Sequence, residues 1–129
     1  MVKILVIDDE KPTLSMFRLF LDAYGYTVYT AENGTEGLAI FHKERPEIVL
    51  TDIKMPGIDG LVVLQQIREI EPNTAVIVIT GHGDTDLAEQ AANLDAVDFI
   101  NKPIKKEALD AALEKAKKKL RAVKRAGSS

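Results

Sequence analysis

Several apolar runs of this chain end in residues that can bind a metal ion or a phosphate group. Asp8-Asp9-Glu10 follows the first run and Asp52 closes the third, while Thr80 ends the fourth and Lys102 follows the fifth. Carboxylates that lie close together repel, and burial raises their pKa unless a positive charge intervenes. A hard divalent cation such as Mg²⁺, which prefers oxygen ligands, supplies that charge. With a lysine and a hydroxyl beside it, such a site suits phosphoryl transfer to one nucleophilic carboxylate.

These side chains can meet only if the runs that carry them are neighbouring strands. The runs are near-continuous and rich in β-branched residues, which is typical of strands covered on both faces, and helical patterns alternate with them. This alternation predicts an α/β fold: one parallel sheet, right-handed crossovers and helices on both faces, a three-layer sandwich. Among the doubly wound orders, the five-stranded flavodoxin-like order 2-1-3-4-5 fits the length best, and its ligands bind at the carboxyl ends of the strands. The five runs are 2–7, 26–30, 48–51, 75–80 and 97–100.

Composition limits the possible functions. A length of 129 residues, of which 46% are hydrophobic, suits one domain with an ordinary core. The formal net charge of −3 argues against nucleic-acid binding by this domain, and the absence of cysteine excludes disulfides and thiolate sites. No apolar run reaches the roughly 20 residues that a membrane span needs, so we expect a cytoplasmic protein. We predict a domain over residues 1–125 and an unstructured tail at 126–129.

Four motifs at the strand ends resemble those of one known family. They are IDDE at 7–10, TDIKMPGIDG at 51–60, VITG at 78–81 and DFINKP at 98–103. In this order and with these spacings they resemble the receiver domain of bacterial two-component response regulators, which has a CheY-like fold. The resemblance implies a signalling phosphoacceptor and not an enzyme that turns over external substrates. Asp52 would take its phosphoryl group from a sensor histidine kinase or a phosphotransfer protein.

The resemblance also implies how the site binds Mg²⁺. Asp9 and Asp52 would coordinate the ion together with the backbone carbonyl of Lys54, and Asp8 would act through water. Phosphoryl transfer to a carboxylate requires mainly positioning and charge neutralisation, which such a site provides.

Further residues are implied for binding the phosphoryl group and for the response to it. Thr80 and Lys102 would bind the phosphoryl oxygens, and the bond between Lys102 and Pro103 is usually cis in this family. Thr80 and Phe99 would form the switch. If Thr80 moves toward the phosphoryl group, Phe99 can enter the space it leaves, and the surface formed by helix 4, strand 5 and helix 5 changes.

Two side chains are expected to control how long the phosphoryl group survives. Lys54 and His82 each lie two residues beyond a site residue, so each should point the same way as Asp52 or Thr80. They would then flank the path of the attacking water, and we expect slow self-dephosphorylation.

The fifth helical pattern is long and basic. It carries nine of the seventeen basic residues. A solvated helix face is one interpretation; the other is a helix that connects the domain to a downstream effector or output domain, or a homodimer contact on the face formed by helix 4, strand 5 and helix 5. The nine residues are Lys105, Lys106, Lys115, Lys117, Lys118, Lys119, Arg121, Lys124 and Arg125.

Two other functions compete with a receiver. A haloacid-dehalogenase-type phosphatase also phosphorylates an aspartate on a similar sheet, but that family has Asp-x-Asp after strand 1, whereas here Asp8 and Asp9 are contiguous. A pseudo-receiver, which binds partners without being phosphorylated, usually lacks one of the site residues. This chain keeps Asp52, its acid-pocket carboxylates and Lys102.

Overall fold

The structure, a computed structural model, describes residues 2–81 and 83–127, in which strands and helices alternate along the chain. The strands are β1 (Lys3–Ile7), β2 (Thr27–Ala31), β3 (Ile48–Asp52), β4 (Ala75–Thr80) and β5 (Asp98–Asn101). The helices are α1 (Lys11–Ala23), α2 (Gly34–Glu44), α3 (Gly60–Ile70), α4 (Thr85–Asn93) and α5 (Lys106–Gly127).

The strands form one sheet in the order β2-β1-β3-β4-β5, and every pairing in it is parallel. The predicted fold class and strand order are therefore confirmed. Because parallel strands end on the same edge, the residues that close β1, β3, β4 and β5 come together at one edge of the sheet.

Each strand contributes side chains to two separate core clusters, one on either face of the sheet. In β1, Ile4 and Val6 face α1 and α5, whereas Leu5 and Ile7 face α2, α3 and α4. All four side chains are fully buried. This two-sided burial explains why the strand sequences are continuous apolar runs and not alternating ones.

Four of the five predicted strands differ from the structure by one residue at one or both ends. β5 begins and ends one residue later than expected, so Asn101 belongs to the strand. α5 continues through Ala126 to Gly127, the first two residues of the predicted tail at 126–129. Alanine is the strongest helix former, so the helix has no reason to stop before it. Ser128 and Ser129 lie outside the described residues.

Arg68 joins α3 to the loop between α4 and β5. Its guanidinium donates hydrogen bonds to the carbonyl oxygens of Pro72 (2.6 Å), Asp95 (3.1 Å) and Leu94 (3.2 Å). Asp95 has a left-handed backbone (φ 64°), which aspartate adopts more readily than most residues. The carboxyl-terminal end of α4 is thus bound to α3 through its backbone. Within the described residues, no helix combines the length and apolarity needed to cross a membrane.

Candidate functional site

Asp52 and Asp8 lie at the ends of adjacent strands and are both buried. Asp52 is the last residue of β3 and is 5% exposed, and Asp8 directly follows β1 and is 0% exposed. After Asp52 the chain turns sharply into α3, with Gly57 in the left-handed region at φ 78°. Gly60 packs so closely on this strand end that an added Cβ would overlap the carbonyl oxygen of Asp52. The first residue of α3 is therefore in direct contact with the end of β3.

Lys102 places its ammonium group among three carboxylates. Its Nζ lies 2.9 Å from Oδ2 of Asp52, 3.0 Å from Oε1 of Glu10 and 3.5 Å from Oδ2 of Asp8. Burial by itself lowers the pKa of Lys102, but the hydrogen bonds to Asp52 and Glu10 outweigh it and raise that pKa above the ordinary value. Lys102 is therefore a permanent positive charge beside Asp52.

The carboxylates around Lys102 form a compact group of oxygen donors. Asp8, Asp9, Glu10 and Asp52 each have an oxygen within 4.8 Å of the others. One oxygen of Asp8 accepts a hydrogen bond from the backbone N–H of Glu10 (2.9 Å). The other, Oδ2, is buried and has no hydrogen-bond partner among the residues that the structure describes. Burial raises the pKa of Asp8, and the negative charge of Asp52 adds to this effect.

This donor set fits a hard divalent cation. All of its ligand atoms are carboxylate oxygens. The Lys102 ammonium lies 3.5 Å from the buried Oδ2 of Asp8 but makes no hydrogen bond to it. A cation at this position would satisfy that oxygen and reduce the repulsion among the four acids.

Thr80 is held by a residue to which the sequence assigned no role. Thr80 is 4% exposed, and its hydroxyl donates a 2.7 Å hydrogen bond to Oδ1 of Asn101. The backbone N–H of Lys102 donates to the carbonyl oxygen of Thr80 at 2.8 Å. The ends of β4 and β5 are thus joined by both main-chain and side-chain hydrogen bonds.

The other predicted site residues lie around this centre. Lys54 is exposed, and its backbone N–H donates to Oδ1 of Asp52 at 3.3 Å. Phe99 is half-buried against the core cluster that faces α4. The bond between Lys102 and Pro103 is cis. His82, predicted to flank the site, lies outside the described residues.

Glu10 and Asn101 are the residues of this site whose contacts sequence reasoning missed. Glu10 was visible as the third acid after β1, and Asn101 as the residue before Lys102. Their partners are far away in sequence, 92 residues for Glu10 and Lys102 and 21 for Asn101 and Thr80. Neither contact follows from periodicity, because each depends on the register of strands distant in the chain.

Comparisons with known proteins agree with this geometry. The family profile described as the response regulator receiver domain matches residues 4–114. Sporulation initiation phosphotransferase F of Bacillus subtilis is 34% identical over 113 residues, which cover 88% of this chain and 91% of that protein. A response regulator receiver domain protein from Clostridium thermocellum has a crystal structure that superposes with a TM-score of 0.86 at 38% identity, covering 96% of this chain and 98% of that one.

Other relatives are much longer than this chain. The DNA-binding transcriptional regulator NtrC of Salmonella typhimurium is 38% identical over 111 residues, covering 86% of this chain but 24% of that protein. The transcriptional regulatory protein GlrR of Escherichia coli is 34% identical over 113 residues, which are 88% of this chain and 26% of that protein. The chain therefore spans about a quarter of the length of these regulators.

Proposed function

Because the chain belongs to the response regulator receiver domain family, we propose that it takes a phosphoryl group onto Asp52 from a histidine kinase or a phosphotransfer protein. The observation that carries this proposal is the placement of Lys102, whose ammonium group lies 2.9 Å from the buried carboxylate of Asp52. A lysine in that position binds both the acceptor carboxylate and the phosphoryl oxygens that follow.

The transfer is a substitution at phosphorus. An oxygen of Asp52 forms the new bond to phosphorus, the bond from phosphorus to the donor's nitrogen or oxygen breaks, and the electron pair of that bond stays with the donor. Lys102 compensates charge on the phosphoryl oxygens, and the Thr80 hydroxyl donates a hydrogen bond to one of them. The product is an acyl phosphate, which water can hydrolyse back to the carboxylate.

The carboxylates of Asp8, Asp9 and Asp52 fit Mg²⁺, with the Lys54 carbonyl as a further ligand. When bound, the ion would neutralise charge on the transferring phosphoryl group. Four acids within 4.8 Å of one another repel any anionic donor unless a cation offsets them, so we expect phosphorylation to require the metal.

The proposed output is a change in the surface formed by α4, β5 and α5. Thr80 moves toward the phosphoryl group, and Phe99, half-buried beneath this surface, repacks. The same surface includes α5, on which the basic residues Lys115, Lys118, Arg121 and Lys124 are exposed. We propose it as the site for an output domain or for a second copy of the chain. Light scattering with and without phosphorylation tests whether two copies of the chain associate. A monomer in both states rules out the homodimer.

Phosphorylation is tested with Mg²⁺ and acetyl phosphate, read by intact mass. We expect one phosphoryl group per chain in the wild type and none in Asp52→Asn. Lys43→Gln, an exposed charge change on α2, serves as a matched control and should be phosphorylated normally. Stoichiometric phosphate on Asp52→Asn would refute the assignment, and turnover of an external phosphate ester would favour a phosphatase. No mass gain in any variant would favour a pseudo-receiver.

A further inference from the structure

We propose that Asn101 is a positioning residue for Thr80: it holds the Thr80 hydroxyl in the resting state and thereby sets how readily the switch responds. We call the hydrogen bond between these two side chains the resting-state latch. This proposal rests on the proposed function, because it concerns the hydroxyl that must reach the phosphoryl group on Asp52.

The latch is short and protected from water on one side. Thr80 Oγ1 lies 2.7 Å from Asn101 Oδ1, and Thr80 is 4% exposed whereas Asn101 is exposed. The two residues are register partners at the last pair of β4 and β5, so their side chains lie side by side on one face of the sheet. Water therefore competes for Asn101 much more easily than for the buried Thr80 hydroxyl.

A threonine hydroxyl has one proton to donate. In the resting state Thr80 donates it to Oδ1 of Asn101. A phosphoryl oxygen offers no proton in its ionised form, so Thr80 can bind it only as the donor. The same proton cannot be donated to Oδ1 of Asn101 and to a phosphoryl oxygen, so phosphorylation must break this hydrogen bond or make the Asn101 amide turn over and donate to Thr80 Oγ1 instead.

Opening the latch leaves the main-chain pairing of β4 and β5 in place, but it releases a side chain that lies near the switch residue. Asn101 is two residues beyond Phe99, so both side chains leave β5 on the same face. The next residue, Lys102, is bound to Asp52. One short segment thus connects the phosphorylated carboxylate, the Thr80 hydroxyl and Phe99.

Removing the latch should make phosphorylation easier. In Asn101→Ala the hydroxyl is free before the donor arrives, so the second-order rate constant with acetyl phosphate should rise about two- to tenfold, the range that one neutral hydrogen bond supplies. Thr80→Ala should be slower than wild type because it loses the donor. In the Thr80→Ala background, Asn101→Ala should have no effect, since no hydroxyl remains to be held.

The kinetic experiment measures all four proteins by intact mass over time, with thermal unfolding to confirm that each is folded. Equal and measurable second-order rate constants for wild type and Asn101→Ala overturn the latch. A rise that persists in the Thr80→Ala background also overturns it, because the effect then does not act through Thr80.

A second measurement needs no phosphorylation and keeps the two proposals separable. Three-bond NMR couplings of the Thr80 methyl group report its χ1 angle. We expect one rotamer in the wild type, averaging in Asn101→Ala, and a single rotamer again in Asn101→Asp, which keeps the acceptor oxygen. A fixed χ1 angle in Asn101→Ala overturns the latch. If the wild type takes no phosphoryl group while the couplings change as expected, the latch stands and the proposed function falls.

Discussion

Lys102 is shared almost equally between two acids: its Nζ lies 3.0 Å from Oε1 of Glu10 and 2.9 Å from Oδ2 of Asp52. Glu10 is 61% exposed in its side chain, whereas that of Asp52 is only 6% exposed. A solvent-exposed carboxylate, Glu10, therefore competes with the buried carboxylate of Asp52 for the same cation.

Glu10→Gln should accelerate phosphorylation by acetyl phosphate. The substitution removes a negative charge that repels the anionic donor. Lys102 then no longer pairs with a charged Glu10 and is more available to Asp52. Because exposed ion pairs contribute at most about 1 kcal/mol, the rise should be no more than about fivefold, and it should shrink with added salt. Glu69→Gln, at the far end of α3, is the matched control. A slower Glu10→Gln would instead show that Glu10 assists the transfer.

Lys102→Ala should separate phosphorylation from its consequence. We expect Mg²⁺ binding, measured by calorimetry, to persist because the carboxylates remain, and phosphorylation to slow by at least tenfold for want of the compensating charge. In the phosphorylated fraction, the amide NMR shifts of β5 and α4 should stay near their resting values. A full set of phosphorylation-induced shifts in this variant would remove Lys102 from the switch.

Asp8→Asn should stabilise the metal-free protein at neutral pH. Oδ2 of Asp8 is a buried carboxylate oxygen without a hydrogen bond, a defect that typically costs about 1–3 kcal/mol, and asparagine removes the charge while keeping the acceptor for the Glu10 N–H.

The pH dependence of Asp8→Asn follows from the raised pKa of Asp8, which burial causes. A carboxyl group whose pKa is higher in the folded state than in the unfolded state stabilises the fold at pH values below its unfolded-state pKa. This contribution is lost as the pH rises through the folded-state pKa. The difference in unfolding free energy between Asp8→Asn and wild type should therefore grow from about pH 4 upward. Mg²⁺ should reverse the order, because it stabilises the wild type selectively. Urea unfolding with and without Mg²⁺ measures both effects. A wild type that is more stable than Asp8→Asn in the absence of Mg²⁺ would contradict the prediction.

Phe99→Ala should leave phosphorylation intact and weaken the response. The side chain is half-buried, so its truncation should cost about 1–3 kcal/mol of unfolding free energy, less than the loss of a fully buried phenylalanine. The phosphorylation-induced NMR shifts of α4 should be reduced, while Phe99→Leu should restore them in part. Unchanged shifts in Phe99→Ala would exclude Phe99 from the mechanism.

Lys54→Ala should shorten the lifetime of the acyl phosphate. Lys54 is exposed, and its backbone N–H donates to Oδ1 of Asp52, so its long side chain begins beside the acceptor and can cover it. We expect an up to fivefold faster loss of phosphate, because an exposed ion pair contributes at most about 1 kcal/mol. Lys54→Arg is the matched variant that keeps the charge. An unchanged half-life in Lys54→Ala means that the lifetime is set elsewhere.

The fold and the centre of the site were predictable because they depend on local signals. Strands buried on both faces have continuous apolar sequences, and acids that interrupt such runs are conspicuous. The pairings of Thr80 with Asn101 and of Lys102 with Glu10 were not predictable. They require the strand register and the direction of a long side chain, which periodicity does not report.

Two of the three hydrogen bonds of Arg68 anchor the carboxyl-terminal end of α4. They hold the carbonyls of Leu94 and Asp95 just beyond the carboxyl-terminal end of α4, whereas its amino-terminal end follows the loop from Thr80. Asp84, the residue before α4, is buried, and its Oδ2 accepts a 2.7 Å hydrogen bond from the Gly81 N–H, so α4 is also tied to the segment that follows Thr80. A helix of nine residues is about 13 Å long at about 1.5 Å per residue, so a tilt of about 10° about the end held by Arg68 would move the other end by about 2 Å. A displacement of the segment after Thr80 would therefore reach the surface as rotation of α4, with little displacement at the end held by Arg68.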